Sequence, residues 1–319
     1  MGRRKRGQAV NGWICLDKPE GLGSTDAVTR VRRLFDAQKA GHAGTLDPLA
    51  SGVLPIALGE ATKTVPYLME ADKTYRFTIE WGVETASFDR EGEVTARSDA
   101  RPTREAVEAA LPAFMGAISQ VPPAFSAIRI DGERAYDLAR AGQEVVLEAR
   151  EVVVHAAHVT AQPDHDHTEI EVSCGKGTYV RAIARDLASA LGAHAHVSAL
   201  RRTRVGRFSA AEAVTLEKLA EMVHGDAAHE ALLPVETALD DIPALAVTEE
   251  DAFRLAQGRS VALLPRQVEE LMPRLVPRTV AGQDAGRVLQ ARCKARLVAL
   301  GELRAGRVEP FRIFNLQAS

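Results

Sequence analysis

The sequence predicts an α+β protein, with a mixed, largely antiparallel sheet flanked by helices and a small second unit behind it. Three observations lead there. The chain has 319 residues, about twice a usual domain, which favours one large domain followed by a smaller one. Hydrophobic residues make up 46% and charged residues 26%, an ordinary globular balance with material for a core. Segments of strand and helix period are intermixed without strict alternation, which argues against a doubly wound parallel fold.

Each element follows in chain order. "STDAVTRVRRLF" sets Val28, Val31, Leu34 and Phe35 at helical spacing behind an N-cap at Ser24 or Thr25. "ADKTYRFTIEWGVET" alternates through Tyr75, Phe77, Ile79 and Trp81 and breaks at Gly82, as a half-buried strand does. "TREAVEAALPAFMG" reads as a capped helix ending near Gly116, and "EVVVHAAHVT" and "HTEIEVSCGKGTYV" as further strands. "VRAIARDLASALG" is an amphipathic helix from Val180 that Gly192 stops. An acidic stretch then runs to Asp241, and the second unit starts near Pro243.

Charge is segregated behind a net value of −3: residues 208–260 carry 11 acids against 3 bases, and residues 261–319 carry 10 bases against 5 acids. Basic clusters occur at residues 3–6, at Arg30, Arg32 and Arg33, and in "RRTRVGR" from Arg201. Any one of them alone reads first as a solvated face or a frayed terminus. Together with the basic C-terminal part they point to nucleic acid. Cys15, Cys174 and Cys293 are odd in number, far apart and without a CxxC pair, which disfavours a disulfide framework and suits a reducing, cytoplasmic setting. No apolar run approaches the ~20 residues of a membrane span, and the basic start is not followed by a signal-peptide core.

Several motifs fail. "CGKGTY" would need glycine at Ile170 and a hydroxyl residue at Gly177 to be a nucleoside-triphosphate loop. "PDHDH" reads as a solvated hairpin tip, and His194 and His196 lack the company that a metal site needs. Neither a GxSxG elbow nor a cysteine nucleophile motif is present. The stretch "GHAGTLDPLASGVLPIALGEATK", residues 41–63, holds one acid, Asp47, ahead of Pro48 and among glycines that permit close approach of a ligand. Asp47 is therefore open between an Asx-type turn and a reactive carboxylate.

That stretch resembles the signature of the TruB-type tRNA pseudouridine synthases. "ICLDKPEGLGSTDAV", "VPPAFSAIRIDGERAYDLARAG" and "GKGTYVRAIARDLA" are similar to the family's other segments, in the family's order, over about residues 10–215. The resemblance implies a pseudouridine synthase catalytic domain over residues 10–242, behind a basic tail at 1–9, with an RNA-clasping insertion at about 121–150. It implies a small, mainly-β, PUA-like RNA-binding domain over residues 243–319. The implied activity converts uridine to pseudouridine at position 55 in the tRNA T-loop by base flipping and without a cofactor. The T-arm is then the partner, no obligatory protein partner is expected, and the chain acts as a monomer.

Residue by residue, Asp47 matches the catalytic aspartate and Arg181 the arginine that pairs with it, by a two-pronged contact that would aim the carboxylate. Tyr75, by alternation alone a core aromatic, matches the tyrosine that packs on the target base. Tyr179 and Leu200 match the wall of the uracil pocket. His42 matches a histidine that stacks on T-loop nucleotides, and Lys18 lies in a segment with a supporting role in substrate binding. Two other classes remain: a non-catalytic RNA-binding or remodelling protein on the same fold, and a guide-RNA-dependent synthase.

Overall fold

Alternating apolar residues commit the chain to strands, and one sheet gathers most of them. The structure is a computed structural model describing residues 7–316 except Asp131 and Asp226, so the basic cluster at residues 3–6 lies outside the described residues. Its first part contains β1 (Gly12–Lys18), α1 (Ser24–Leu34), β2 (Ser51–Leu58), β3 (Lys73–Trp81), α2 (Arg104–Ala110), β4 (Gly116–Gln120), β5 (Arg150–Ala161), β6 (His167–Cys174), α3 (Val180–Ala190), β7 (Ala195–Val205) and α4 (Leu216–His224). The strand order is β1-β2-β7-β3-β6-β5-β4, with short strands Ala40–His42 and Phe208–Ser209 added at β2 and β7.

The sheet is mixed and largely antiparallel. Its parallel joint lies between β2 and β7, where Ser51 faces Arg201 and Gly52 faces Arg202. Gly52 has φ +103°, and a Cβ there would stand 2.2 Å from the Arg202 carbonyl oxygen, so only glycine admits this approach. Phe77, Ile79 and Trp81 of β3 are buried against Ile183, Ala184 and Leu187 of α3. Each such large side chain stabilises the fold by roughly 1.5–3 kcal/mol.

Two details differ from the sequence expectations. The N-cap of α1 is Gly23, without a side-chain bond, because the Ser24 hydroxyl is turned instead onto the backbone of Leu46. The helix expected to end near Gly116 stops at Ala110 and tightens into a 3₁₀ turn, Leu111–Phe114, while Gly116 at φ +80° opens β4.

The C-terminal part holds β8 (Ala244–Ala246), α5 (Glu249–Ala256), β9 (Val261–Ala262), β10 (Val288–Cys293), β11 (Arg296–Arg304) and β12 (Arg307–Ile313), in sheet order β8-β10-β11-β12-β9. Thr248 caps α5 by accepting from the Asp251 amide at 3.1 Å. A shared cluster fastens this sheet to the first: Trp13, Val53 and Phe208 pack in one body with Val288, Leu300 and Phe314. Lys63 adds a bond from Nζ to the Ile313 carbonyl at 2.7 Å, and Glu60 accepts from the Asn315 amide at 2.7 Å. All three cysteines are free and buried, and each sits in a different apolar cluster. Among the described residues, no helix is long and apolar enough to cross a membrane.

Candidate active site

Three buried polar side chains build the loop at residues 43–50 from beneath. Arg202, on β7 and 1% exposed, donates Nε to the Val53 carbonyl at 2.8 Å, Nη2 to Gly44 at 3.1 Å and Nη1 to Thr45 at 3.4 Å. Ser24 Oγ accepts from the Leu46 amide at 2.9 Å and donates to the Leu46 carbonyl at 2.8 Å. Fully buried Lys18 donates Nζ to the carbonyls of Leu22 at 2.7 Å, Pro19 at 2.9 Å and Pro48 at 3.4 Å. Burial pushes the Lys18 ammonium down to about 8, against the upward pull of Asp47. Lys18 thus supports the loop from within; its amine is spent on carbonyls rather than turned toward a substrate.

Asp47 projects from this loop. Among the described residues its carboxylate accepts one hydrogen bond, at Oδ2 from Arg181 Nη2 at 2.7 Å, so it is no Asx turn. Arg181 stands in the first turn of α3 and is 4% exposed. Its other arm, Nη1, donates to the Ser87 carbonyl at 3.0 Å and lies 3.1 Å from Asp89 Oδ2. The expected two-pronged pair is therefore divided: one buried guanidinium is shared by two carboxylates. Asp89 is itself fixed, since Oδ1 accepts from Ser87 Oγ at 2.6 Å and from the Glu91 amide at 3.0 Å. Arg181 Nη2 also reaches the Phe125 carbonyl at 2.9 Å, which ties the 121–150 insertion to the same cation.

A cavity of about 510 Å³ opens over Asp47, within the range of small-ligand sites. Tyr75, Tyr179, Arg181 and Leu200 line it with Asp47. Burial raises the Tyr75 hydroxyl above its ordinary range, with the Arg202 cation pulling it partly back. Gln120 fixes the entry to α3, accepting from the Tyr179 amide at 2.8 Å and donating to the Tyr179 carbonyl at 3.2 Å. His42 stands on the short strand beside β2, outside the cavity wall, and burial followed by the Arg202 charge lowers its basicity.

Residues 32–180 match the TruB family pseudouridylate synthase N-terminal domain, and residues 181–240 the tRNA pseudouridylate synthase B C-terminal domain. The tRNA pseudouridine synthase B of Caulobacter sp. (strain K31) is 65% identical over 316 residues, which cover 99% of this chain and 100% of the relative. The chain belongs to the TruB family of pseudouridylate synthases. The enzyme of the same name from Rhodospirillum rubrum is 48% identical over 320 residues, covering 99% of this chain and 100% of its own. Among solved structures, a chain of a Cbf5-Nop10-Gar1 complex matches with a TM-score of 0.70 at 25% identity, covering 95% of this chain and 84% of that one.

In this TruB-family chain, then, Asp47, Tyr75, Arg181, Tyr179 and Leu200 meet at one cavity, while Lys18 lies beneath it and His42 beside it. The cluster "RRTRVGR" divides between interior and surface, with Arg204 and Arg207 exposed. Arg201 pairs with Asp17 at 3.0 and 2.8 Å, Arg202 is interior, and Arg204 donates to the Gly206 carbonyl. Arg30, Arg32 and Arg33 are exposed on α1. Sequence reasoning did not single out Asp89, Gln120 or Arg202 for the site. "SFDREGE" reads as a polar turn, and no local pattern marks an arginine whose partners are carbonyls 149 to 158 residues away.

Proposed function

We propose that this chain isomerises uridine to pseudouridine in the T-loop of tRNA, at the position conventionally numbered 55, with Asp47 as the essential carboxylate. The observation that carries the reading is the hydrogen bond that aims Asp47 from buried Arg181 into a cavity walled by Tyr75, Tyr179 and Leu200. Relatives of 65% and 48% identity over nearly the whole chain are named for this activity. Uracil must leave C1′ through N1, turn, and return through C5; the C5 proton departs and N1 gains one. Bonds made and broken balance within the substrate, so no redox partner or cofactor is required.

The carboxylate serves addition to C1′, addition to C6 or formation of a glycal, each of which needs it held against the nucleotide. Tyr75 packs on the base and is poised to handle a proton of the sugar or of C5, and Tyr179 and Leu200 exclude water around the flipped base. His42 meets a T-loop nucleotide beside the pocket. Residues 10–242 are read as the catalytic unit and residues 243–319 as a PUA-like RNA-binding unit. The chain works on the T-arm as a monomer in the cytoplasm.

The test is pseudouridine formation on an unmodified tRNA transcript, mapped to the nucleotide. Conversion at one T-loop uridine by the isolated chain, lost on Asp47→Asn with RNA binding kept, is the expected result. Binding without conversion by the unaltered chain overturns the catalytic reading in favour of an RNA-binding role. Conversion only with added guide RNA and protein partners places the chain with the guide-RNA-dependent synthases instead.

A further inference from the structure

The turn "GKG" after β6 fails as a triphosphate loop, and the uridine reading leaves it without a task. Gly175, Lys176 and Gly177 nevertheless line the Asp47 cavity, together with Arg150 from the start of β5. Arg150 donates Nη2 to the Gly177 carbonyl at 2.5 Å, and its guanidinium lies over the Tyr179 ring at 5.1 Å. Its Nε is buried and has no hydrogen-bond partner. Among the described residues, the bond it makes goes to a carbonyl and not to a carboxylate. A guanidinium set over an aromatic ring, lining an open cavity and without a carboxylate partner among the described residues, suits an oxyanion.

Lys176 completes the arrangement. Its side chain is 55% exposed and its Nζ rests on Glu70 Oε2, while Glu70 Oε1 accepts from the Ala281 amide at 3.2 Å. Glu70 thus holds the lysine at the cavity and is itself held by the C-terminal hairpin of Thr279–Val280 and Gln283–Asp284. The acids on this wall are Glu70 and Glu151, against the cations Lys73, Arg150 and Lys176. Any nucleotide that presents C1′ to Asp47 brings phosphates on the same ribose, and a phosphate entering the cavity needs its charge met.

We propose that Arg150 and Lys176 form a phosphodiester subsite that holds the RNA backbone beside the flipped uridine. This rests on reading the cavity as a uridine site. The experiment uses a T-arm hairpin RNA in which single linkages around the target are replaced by uncharged methylphosphonates. Binding and single-turnover conversion are measured for the unaltered chain, Arg150→Gln, Arg150→Lys and Lys176→Gln.

Each Gln variant is expected to bind the all-phosphate RNA about tenfold more weakly and to lower the salt dependence by about one ion. One neutral linkage weakens the unaltered chain by more than either substitution alone and costs each Gln variant less than it costs the unaltered chain, and Arg150→Lys recovers part of the loss. Losses that multiply at every linkage, or an unchanged affinity, overturn the subsite. Binding without conversion by the unaltered chain overturns the uridine reading instead, and the linkage pattern still decides the subsite.

Discussion

The two walls of the cavity are built in opposite ways. The 43–50 loop rests on Lys18, Ser24 and Arg202, all buried, which hold the carbonyls of Gly44, Thr45, Leu46 and Pro48. The facing insertion at 121–150 is built from a hairpin of two-residue strands, Arg129–Ile130 and Glu133–Arg134, and the short helix Ala135–Arg140. One of its ties to the site is the Phe125 carbonyl on Arg181. The loop that carries the carboxylate is interior architecture, whereas the insertion is mostly exposed surface. A firmly seated carboxylate and a largely solvated flank are thereby built from different pieces of chain.

Substitutions test that division, and the largest effect is expected at the parallel joint. Gly52→Ala drives a Cβ to 2.2 Å from a carbonyl oxygen at φ +103°; urea unfolding is expected to show a loss of about 3 kcal/mol or more. Arg202→Met leaves the Gly44, Thr45 and Val53 carbonyls without this donor. Its kcat is expected to fall by roughly 100-fold with little change in KM, because the loop no longer presents Asp47 in one place. An equal fall for a neutral change in the insertion would abolish the contrast.

Lys18 offers a pH test of the same wall. Its folded value of about 8 lies below the ordinary 10.5, so between those values the unfolded chain binds a proton that the folded chain does not. Stability of the unaltered chain relative to Lys18→Met should therefore rise from pH 8 to 10.5, by up to about 3 kcal/mol, and be flat below pH 8. A relative fall over that interval contradicts the buried, proton-releasing lysine. The smallest effect belongs to the insertion. Tyr136→Ala removes an edge-on contact with Phe125 at 5.9 Å, worth about 1 kcal/mol. A several-fold rise in KM is expected, with kcat and the melting temperature nearly unchanged.

The readable parts of the sequence were those governed by local period and by ordered motif. Alternation through Tyr75 to Trp81 gave β3, helical spacing from Val180 gave α3, and the ordered segments brought Asp47, Tyr75 and Arg181 to one site. Asp89, Gln120 and Arg202 escaped because their meaning lies in partners far along the chain: Gln120 reads the backbone of Tyr179, and Asp89 answers an arginine 92 positions on. The cap of α1 was misplaced for the same reason, since a serine that suits a helix start is equally able to clasp a distant loop. The split of Arg181 between two acids could not be read from a motif containing only one of them.

The placement of the three thiols gives the protein a built-in set of opening sensors. Cys174 belongs to the cluster under the catalytic sheet, Cys15 to the cluster shared by both sheets, and Cys293 to that of the C-terminal sheet. Burial pushes the Cys15 thiol up to about 12 and Cys174 up to about 11, so both stay protonated and unreactive while the fold is closed. Alkylation of each sulfur then times the breathing of its own core. The native chain can be followed region by region with a thiol reagent and a mass spectrometer, with no label introduced.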